Sequence, residues 1–276
     1  MVERAVFHNR TRRSRSIPGT LLRRGHLPAL PLYYALRLSD LAREGFENSG
    51  SYRFADHIYR GVPSGRGVIG RWIDGRLLAM PAVRSFRSRF VAARDALAAF
   101  LLEAVPARPI HVLSVPSGIP RELVEAAQIA KRHGDSLAAV HFHALDLDAR
   151  VLEEARGFAA RHGIELQAHH GDALTPDAYP RSLSFVTCTG LGEFLADAAV
   201  VQLYRTIREV LEPGGLFVTS GMQQRRVANY LLRLAEITVH YRDSSQLVAL
   251  AREAGFSAID TRTDEYGIQT IMTCRR

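Results

Sequence analysis

Cysteine is scarce in this chain of 276 residues, and Cys188 and Cys274 are the whole supply. Two thiols cannot build a disulfide framework or a multi-thiolate metal centre, which fits a reducing compartment. Long apolar runs are missing as well. No stretch approaches the roughly 18–20 residues of a membrane span, so no membrane partner is expected. The opening residues, Met1-Val2-Glu3-Arg4, hold no apolar core followed by a small-residue cleavage site, and the expectation is a cytoplasmic protein. Lysine is almost absent: of the 36 basic residues only Lys131 is not Arg. A bias of that size points to a GC-rich bacterial genome rather than to function. What remains is ordinary globular composition, 47% hydrophobic and 23% charged, which excludes a disordered or collagen-like chain.

The charge is unevenly placed. Residues 1–108 hold 19 basic and 8 acidic side chains, net +11, whereas residues 109–276 hold 17 and 20, net −3. The excess begins in an Arg-rich stretch (Arg10, Arg12, Arg13, Arg15, Arg23, Arg24). Such a stretch serves either a nucleic-acid contact, which is usually interleaved with aromatics, or a solvated and partly frayed arm. The second reading is the expectation here, with residues 1–30 as a basic arm.

From residue 109 onward, short apolar runs alternate with amphipathic segments. Strands are expected at Ile110–Val115, Leu137–Leu145, Ile164–His169, Leu183–Cys188 and Leu216–Ser220. Helices are expected at Pro120–His133, Arg150–His162 and Asp197–Leu211, the last stopped by Pro213-Gly214-Gly215. Alternation of this kind gives an α/β fold with a parallel sheet covered on both faces. The end breaks the rhythm: a helix from Ser245 to Ala254 precedes strands Ala258–Thr263 and Ile268–Thr273, too close for a crossover and therefore an antiparallel hairpin. Residues 31–108 show helical periodicity only, at Leu32–Arg43, Tyr52–Arg60, Val68–Leu78 and Val83–Ala104. They read as a helical cap or lid on an α/β domain of residues 109–276.

In an open parallel sheet, ligands bind beyond the carboxyl ends of the strands. The loop after the first strand, Ser114-Val115-Pro116-Ser117-Gly118-Ile119-Pro120, leads into a helix whose first N–H groups are free. After the second strand stands Asp146, with Leu147 beside it. Its carboxylate can accept from both hydroxyls of a ribose, or cap the next helix, as Asp148 also can. After the third comes Gly171-Asp172-Ala173, where a carboxylate can accept from an adenine amino group. After the fourth comes Thr189-Gly190-Leu191-Gly192-Glu193, small enough for a ligand to approach the backbone.

Taken together, these motifs resemble the class I S-adenosylmethionine-dependent methyltransferases. The resemblance covers roughly residues 90–276. It rests on Val112–Pro120, Ala144-Leu145-Asp146, Gly171-Asp172-Ala173, the Leu211-Glu212-Pro213-Gly214-Gly215 turn and Ala254-Gly255-Phe256 before the last hairpin. It implies a Rossmann-like, mostly parallel seven-stranded sheet with a terminal antiparallel hairpin. It also implies S-adenosylmethionine as cofactor, held by Ser114, Pro116, Ser117, Gly118, Arg121, Asp146, Leu147, Asp172, Ala173, Thr189 and Gly190. The first loop departs from the family pattern: Ser114 replaces the acid, Pro116 and Pro120 replace two glycines, and only Gly118 matches. Proline removes an N–H and fixes φ, so the methionine end of the cofactor is held differently, with Ser114, Ser117, Arg121 or Glu122 supplying contacts.

The Pro-Pro-aromatic element that the family's adenine- and glutamine-methylating members carry after the fourth strand is absent. The expected reaction is transfer to a hydroxyl or another heteroatom of a small molecule. The candidate bases are Glu193, His240 and Tyr241, with Tyr52 and His57 reaching from the cap. Two alternatives stand beside it. One is attack within the cofactor's aminobutyryl chain, releasing methylthioadenosine. The other is RNA methylation or a cofactor-binding paralogue without catalysis. No metal is expected, because His141, His143, His169 and His170 have no carboxylate or Cys at ligand spacing and read as core or surface residues.

Overall fold

A computed structural model describes residues 13–23, 25–48, 51–103, 109–134, 136–224 and 239–276. The chain forms two compact units, and the division falls after Arg84 rather than after residue 108. The reason lies in the long helix between them. Helix α6 (Pro81–Glu103) puts Ala92, Ala93, Leu97, Ala98 and Leu101 into one apolar cluster with sheet residues, so most of it belongs to the α/β unit.

The first unit is built from helices α1 (Arg13–Arg23), α2 (Ala29–Leu36), α3 (Asp40–Asn48), α4 (Tyr52–Arg60) and α5 (Gly67–Leu78). The arm expected over residues 1–30 is thus helical from Arg13, and α1 packs on α2 and α3. The helix expected over Leu32–Arg43 is two helices, because Ser39 leaves the helical path to pair with Gly65 and its Oγ accepts the Ala42 N–H. At the centre of this unit lies Asp74, fully buried on α5. One carboxylate oxygen accepts from Ser39 Oγ (2.6 Å) and the Leu41 amide (2.9 Å), the other from the Ser64 amide (3.1 Å) and His57 Nε2 (2.8 Å). His57, expected to reach toward substrate, is a buried partner of Asp74. Tyr52 begins α4, with Arg53 stacked over its ring.

The second unit carries a seven-stranded sheet in the order β3-β2-β1-β4-β5-β7-β6. The strands are β1 (Ile110–Ser114), β2 (Val140–Asp146), β3 (Leu166–His170), β4 (Leu183–Cys188), β5 (Leu211–Met222), β6 (Ala258–Thr263) and β7 (Gln269–Arg275). The first five are parallel, and β7 runs antiparallel between β5 and β6. This is the expected Rossmann-like sheet with its terminal hairpin. Helices α6, α7 (Arg121–Arg132) and α8 (Ala149–Arg161) cover one face, and α9 (Asp197–Val210) and α10 (Ser244–Glu253) the other. The fifth strand is longer than its apolar core suggested. It begins at Leu211, opposite Leu183, and resumes at Leu216, opposite Phe185, so Pro213-Gly214-Gly215 forms an irregularity inside the strand rather than a stop before it. Between β3 and β4 the described residues make only a short turn at Pro176–Ala178.

Burial pushes the Asp74 carboxyl up, but the bonds from His57, Ser39, Leu41 and Ser64 outweigh it and hold its pKa below the usual carboxylate value. A lowered pKa in the folded state means stabilisation that is present above the unfolded value and lost as pH falls through the folded one. Asp74→Ala leaves four donors unanswered and should cost about 3–5 kcal/mol at neutral pH. Urea unfolding followed by circular dichroism measures this, and a loss under about 1 kcal/mol would sink the assignment of Asp74 as the unit's anchor.

Candidate functional site

The loops at the carboxyl ends of β1 and β2 are joined through one carboxylate. Asp146 Oδ2 accepts the Gly118 N–H at 3.0 Å, and Oδ1 accepts the Asp148 N–H at 3.1 Å. Beneath them, the Ser117 N–H donates to the Leu145 carbonyl (2.9 Å). A carboxylate has about four lone-pair positions, so Asp146 keeps acceptor capacity beyond these two bonds. Burial raises its pKa, opposed by the amides of Gly118, Asp148 and Leu147. Pro116 is exposed and Ser114 and Ser117 are buried, so this loop offers its rim, not its hydroxyls, to solvent. Ser114 instead donates to Glu122 on α7. Arg121 turns to α8, where its guanidinium lies 4.7 Å from the centre of the Phe158 ring.

After β2, Leu147 is 67% exposed, an apolar surface next to a fixed carboxylate. After β3, the Gly171 N–H donates to the Asp146 carbonyl, and a Cβ on Gly171 would stand 2.5 Å from Ala178 Cβ. Only glycine fits where this loop folds against the Pro176–Ala178 turn. Asp172 is exposed and accepts the Leu174 N–H at 2.9 Å, shaping its own turn. The Ala173 carbonyl accepts from Tyr179 Oη at 2.6 Å, and Tyr179 is buried.

After β4, Thr189 and Gly190 are half-buried, and Gly190 has φ +89° with a place for Cβ only 2.7 Å from Arg89 Nη2. Arg89 descends from α6 to meet Glu193 Oε1 at 3.2 Å, and the two residues are 6% and 2% exposed. Ser220 Oγ reaches the same oxygen at 3.5 Å, while Glu193 Oε2 is buried with no hydrogen-bond partner among the described residues. The His240 N–H donates to the Glu193 carbonyl at 2.7 Å, so two of the expected bases are neighbours through the backbone. Their side chains part company. His240 and Tyr241 line a groove of about 540 Å³ with Asp197, Gln246, Leu250 and Glu253 of α9 and α10, away from the β1 and β2 loops.

The sequence reading missed Arg242. Its buried guanidinium donates to the Gly192 carbonyl (2.7 Å), the Leu195 carbonyl (2.6 Å) and Asp197 Oδ1 (2.7 Å), which fixes the turn that carries Glu193. No periodicity marks this arginine, since it lies in extended chain before α10.

The model of a family described as putative methyltransferase matches residues 36–276. The chain belongs to this family. Its fold is the Rossmann-like fold of S-adenosylmethionine-dependent methyltransferases. A possible exported protein from Bordetella parapertussis superposes with a TM-score of 0.76 at 23% identity, covering 96% of this chain and 94% of that one. A putative O-methyltransferase from Nostoc punctiforme PCC 73102 gives 0.55 at 16%, covering 88% and 71%. Magnesium protoporphyrin IX methyltransferase from Synechocystis PCC 6803, with S-adenosylhomocysteine bound, gives 0.55 at 11%, covering 80% and 93%. At these identities the likeness is one of fold. No curated protein matches the sequence.

Three of the histidines singled out above, His141, His143 and His169, form a file with His111 on the sheet, while His170 Nε2 lies 3.0 Å from the Leu147 carbonyl. His111 Nδ1 meets His143 Nε2 at 3.0 Å, and His143 Nδ1 meets His169 Nε2 at 3.0 Å, while His141 stacks on His111. Among the described residues no group of three or more His, Cys, Asp or Glu is arranged to hold a metal ion. Burial, with help from His169, His111 and His141, lowers the His143 pKa to about 4. Burial raises Glu122 to about 7, opposed by the Ser114 hydroxyl. The two act on stability with opposite sign. His143 contributes stability present above the ordinary 6.5 and lost as pH falls toward 4. Glu122 contributes stability present below the ordinary 4.5 and lost as pH rises toward 7. Relative to wild type, Glu122→Gln should therefore lose stability more steeply between pH 6.5 and 4.5, and His143→Asn should gain it. Urea midpoints at several pH values test both signs, and parallel curves for all three proteins would refute them.

Proposed function

We propose that this chain is an S-adenosylmethionine-dependent methyltransferase that acts on a small molecule at a hydroxyl or another heteroatom. The observation that carries the reading is Asp146. Its carboxylate stands at the end of β2, pinned by the Gly118 amide of the first loop, with an exposed Leu147 beside it. That set suits a ribose diol on the carboxylate and a flat base on the leucine. Gly118, Asp172, Ala173, Thr189 and Gly190 border the same strand ends. The family match and the methyltransferase neighbours support the same class.

When bound, S-adenosylmethionine supplies a methyl group already activated by its sulfonium. The chain's own residues then orient and accept a proton. Arg89 and Ser220 hold Glu193 Oε1, which leaves Oε2 for a proton released by an acceptor hydroxyl as the new carbon–oxygen bond forms and the carbon–sulfur bond breaks. His240 and Tyr241, in their groove beside α10, are the second choice for this role.

Asp146→Ala removes two charge-assisted bonds to the ribose and should weaken S-adenosylhomocysteine binding by about 2–3 kcal/mol, or roughly 30- to 150-fold. Asp172→Asn should weaken it less, since Asp172 serves its own turn. Calorimetry on the three proteins decides, and unchanged affinity in Asp146→Ala would falsify the ribose assignment. Mass spectrometry of the spent cofactor then separates the reactions: S-adenosylhomocysteine is expected, whereas methylthioadenosine would replace methyl transfer by attack on the aminobutyryl chain.

A further inference from the structure

Beneath the first half of α6 the core carries a run of polar side chains that packing alone does not call for. Ser85, Arg89, Glu193, Ser220 and Gln269 are all buried, Gln269 at 0% exposure. Burying an amide without partners is unfavourable, and such groups are rare in folded proteins. Yet among the described residues neither Nε2 nor Oε1 of Gln269 has a hydrogen-bond partner, and neither has Glu193 Oε2.

These orphaned atoms share one region. Gln269 opens β7 opposite Met222, and Ile271 pairs with Ser220, so Gln269 and Ser220 are diagonal neighbours on one sheet face, about 7–8 Å apart. Ile271 belongs to the apolar cluster that α6 covers, which puts both polar residues under that helix. Ser220 Oγ in turn touches Glu193 Oε1. From the other side, Ser85 and Ser88 of α6 donate to Asp264 Oδ2, and Asp264 Oδ1 accepts the Gln269 N–H at 3.2 Å. The β6–β7 turn, α6 and the loop after β4 thus brace one polar patch at the carboxyl ends of β4 and β5.

We propose that Glu193 Oε2 and the Gln269 amide recognise the methyl acceptor, an inference that rests on the methyltransferase reading. Their free valences define its chemistry. Glu193 Oε2 accepts, while Gln269 donates through Nε2 and accepts through Oε1. The matching acceptor presents one hydrogen-bond donor together with a paired donor–acceptor edge, as a lactam or a primary carboxamide does. It is uncharged at this edge. Arg89 and Glu193 already neutralise each other, and a third charge would be buried without compensation. An anionic acceptor does not fit this patch.

The probes are 2-pyridone and benzamide as uncharged edges, with benzoate and benzylammonium as charged counterparts, followed by ligand-observed NMR. Wild type should bind the uncharged pair in the millimolar range, and Gln269→Leu should bind them about tenfold more weakly. The thermal midpoint of Gln269→Leu should be at or above that of wild type, because an orphaned amide is gone. Gln269→Met, of similar length, is read in the same way if the leucine variant does not fold. Equal binding by wild type and variant, or benzoate or benzylammonium binding as well as benzamide, would overturn the proposal. S-adenosylhomocysteine affinity, measured on the same samples, should not change with residue 269. Its absence in wild type would sink the cofactor reading alone, since the probes report on the patch directly.

Discussion

The ion pair between Arg89 and Glu193 is the contact on which the described site depends. Two opposite charges withdrawn from water are costly unless their geometry and remaining hydrogen bonds are good, and the surroundings are arranged to supply both. Gly190 has no side chain, so the guanidinium can lie against the loop after β4. Phe86 offers its ring 3.7 Å from the guanidinium carbon, and Ser220 touches the shared carboxylate oxygen. Arg242 ties down the carbonyls on either side of Glu193, and His240 caps its backbone. The entry helix, the fourth and fifth strand ends and the approach to α10 meet at this pair.

The departure at the first loop has a local physical account. With Ser114 in the place of an acid, a carboxylate still reaches the strand end from Glu122, in the first turn of α7, through the Ser114 hydroxyl. That carboxyl is buried and its pKa is raised to about 7, so near neutral pH it spends about half its time uncharged under the loop. The fixed charge of the site is Asp146, whose orientation comes from backbone amides. Amides are rigid donors, which suits a group that must receive a ligand repeatedly without reorganising.

Each unit also contains a buried polar centre of its own. In the helical unit, Asp74 organises four donors from three segments. In the α/β unit, His111, His143 and His169 run in a file across β1, β2 and β3. Both show why isolated His or Asp residues cannot be assigned from sequence: His57 had the composition of a substrate contact and proved to be half of a buried pair.

The sequence by itself determined the sheet, the hairpin and the identity of the strand-end residues. Those depend on local periodicity and turn chemistry, which are written in neighbouring residues: Leu183–Cys188 and Ala258–Thr263 were legible to the residue. It did not determine where α6 belongs, why the helix over Leu32–Arg43 breaks, or which strand-end side chains face one another. Arg242 lies 50 residues from the Gly192 carbonyl it holds, and Arg89 lies 104 residues from Glu193. Asp74 carried a faint signal, a lone acid on the buried face of α5 between Gly70 and Leu78, but its four partners are set by the packing of α3, α4 and the Ser64 loop. Burial and pairing across such separations are properties of the folded chain, and they alone decided which polar residues are buttresses and which keep an unspent hydrogen bond for a ligand.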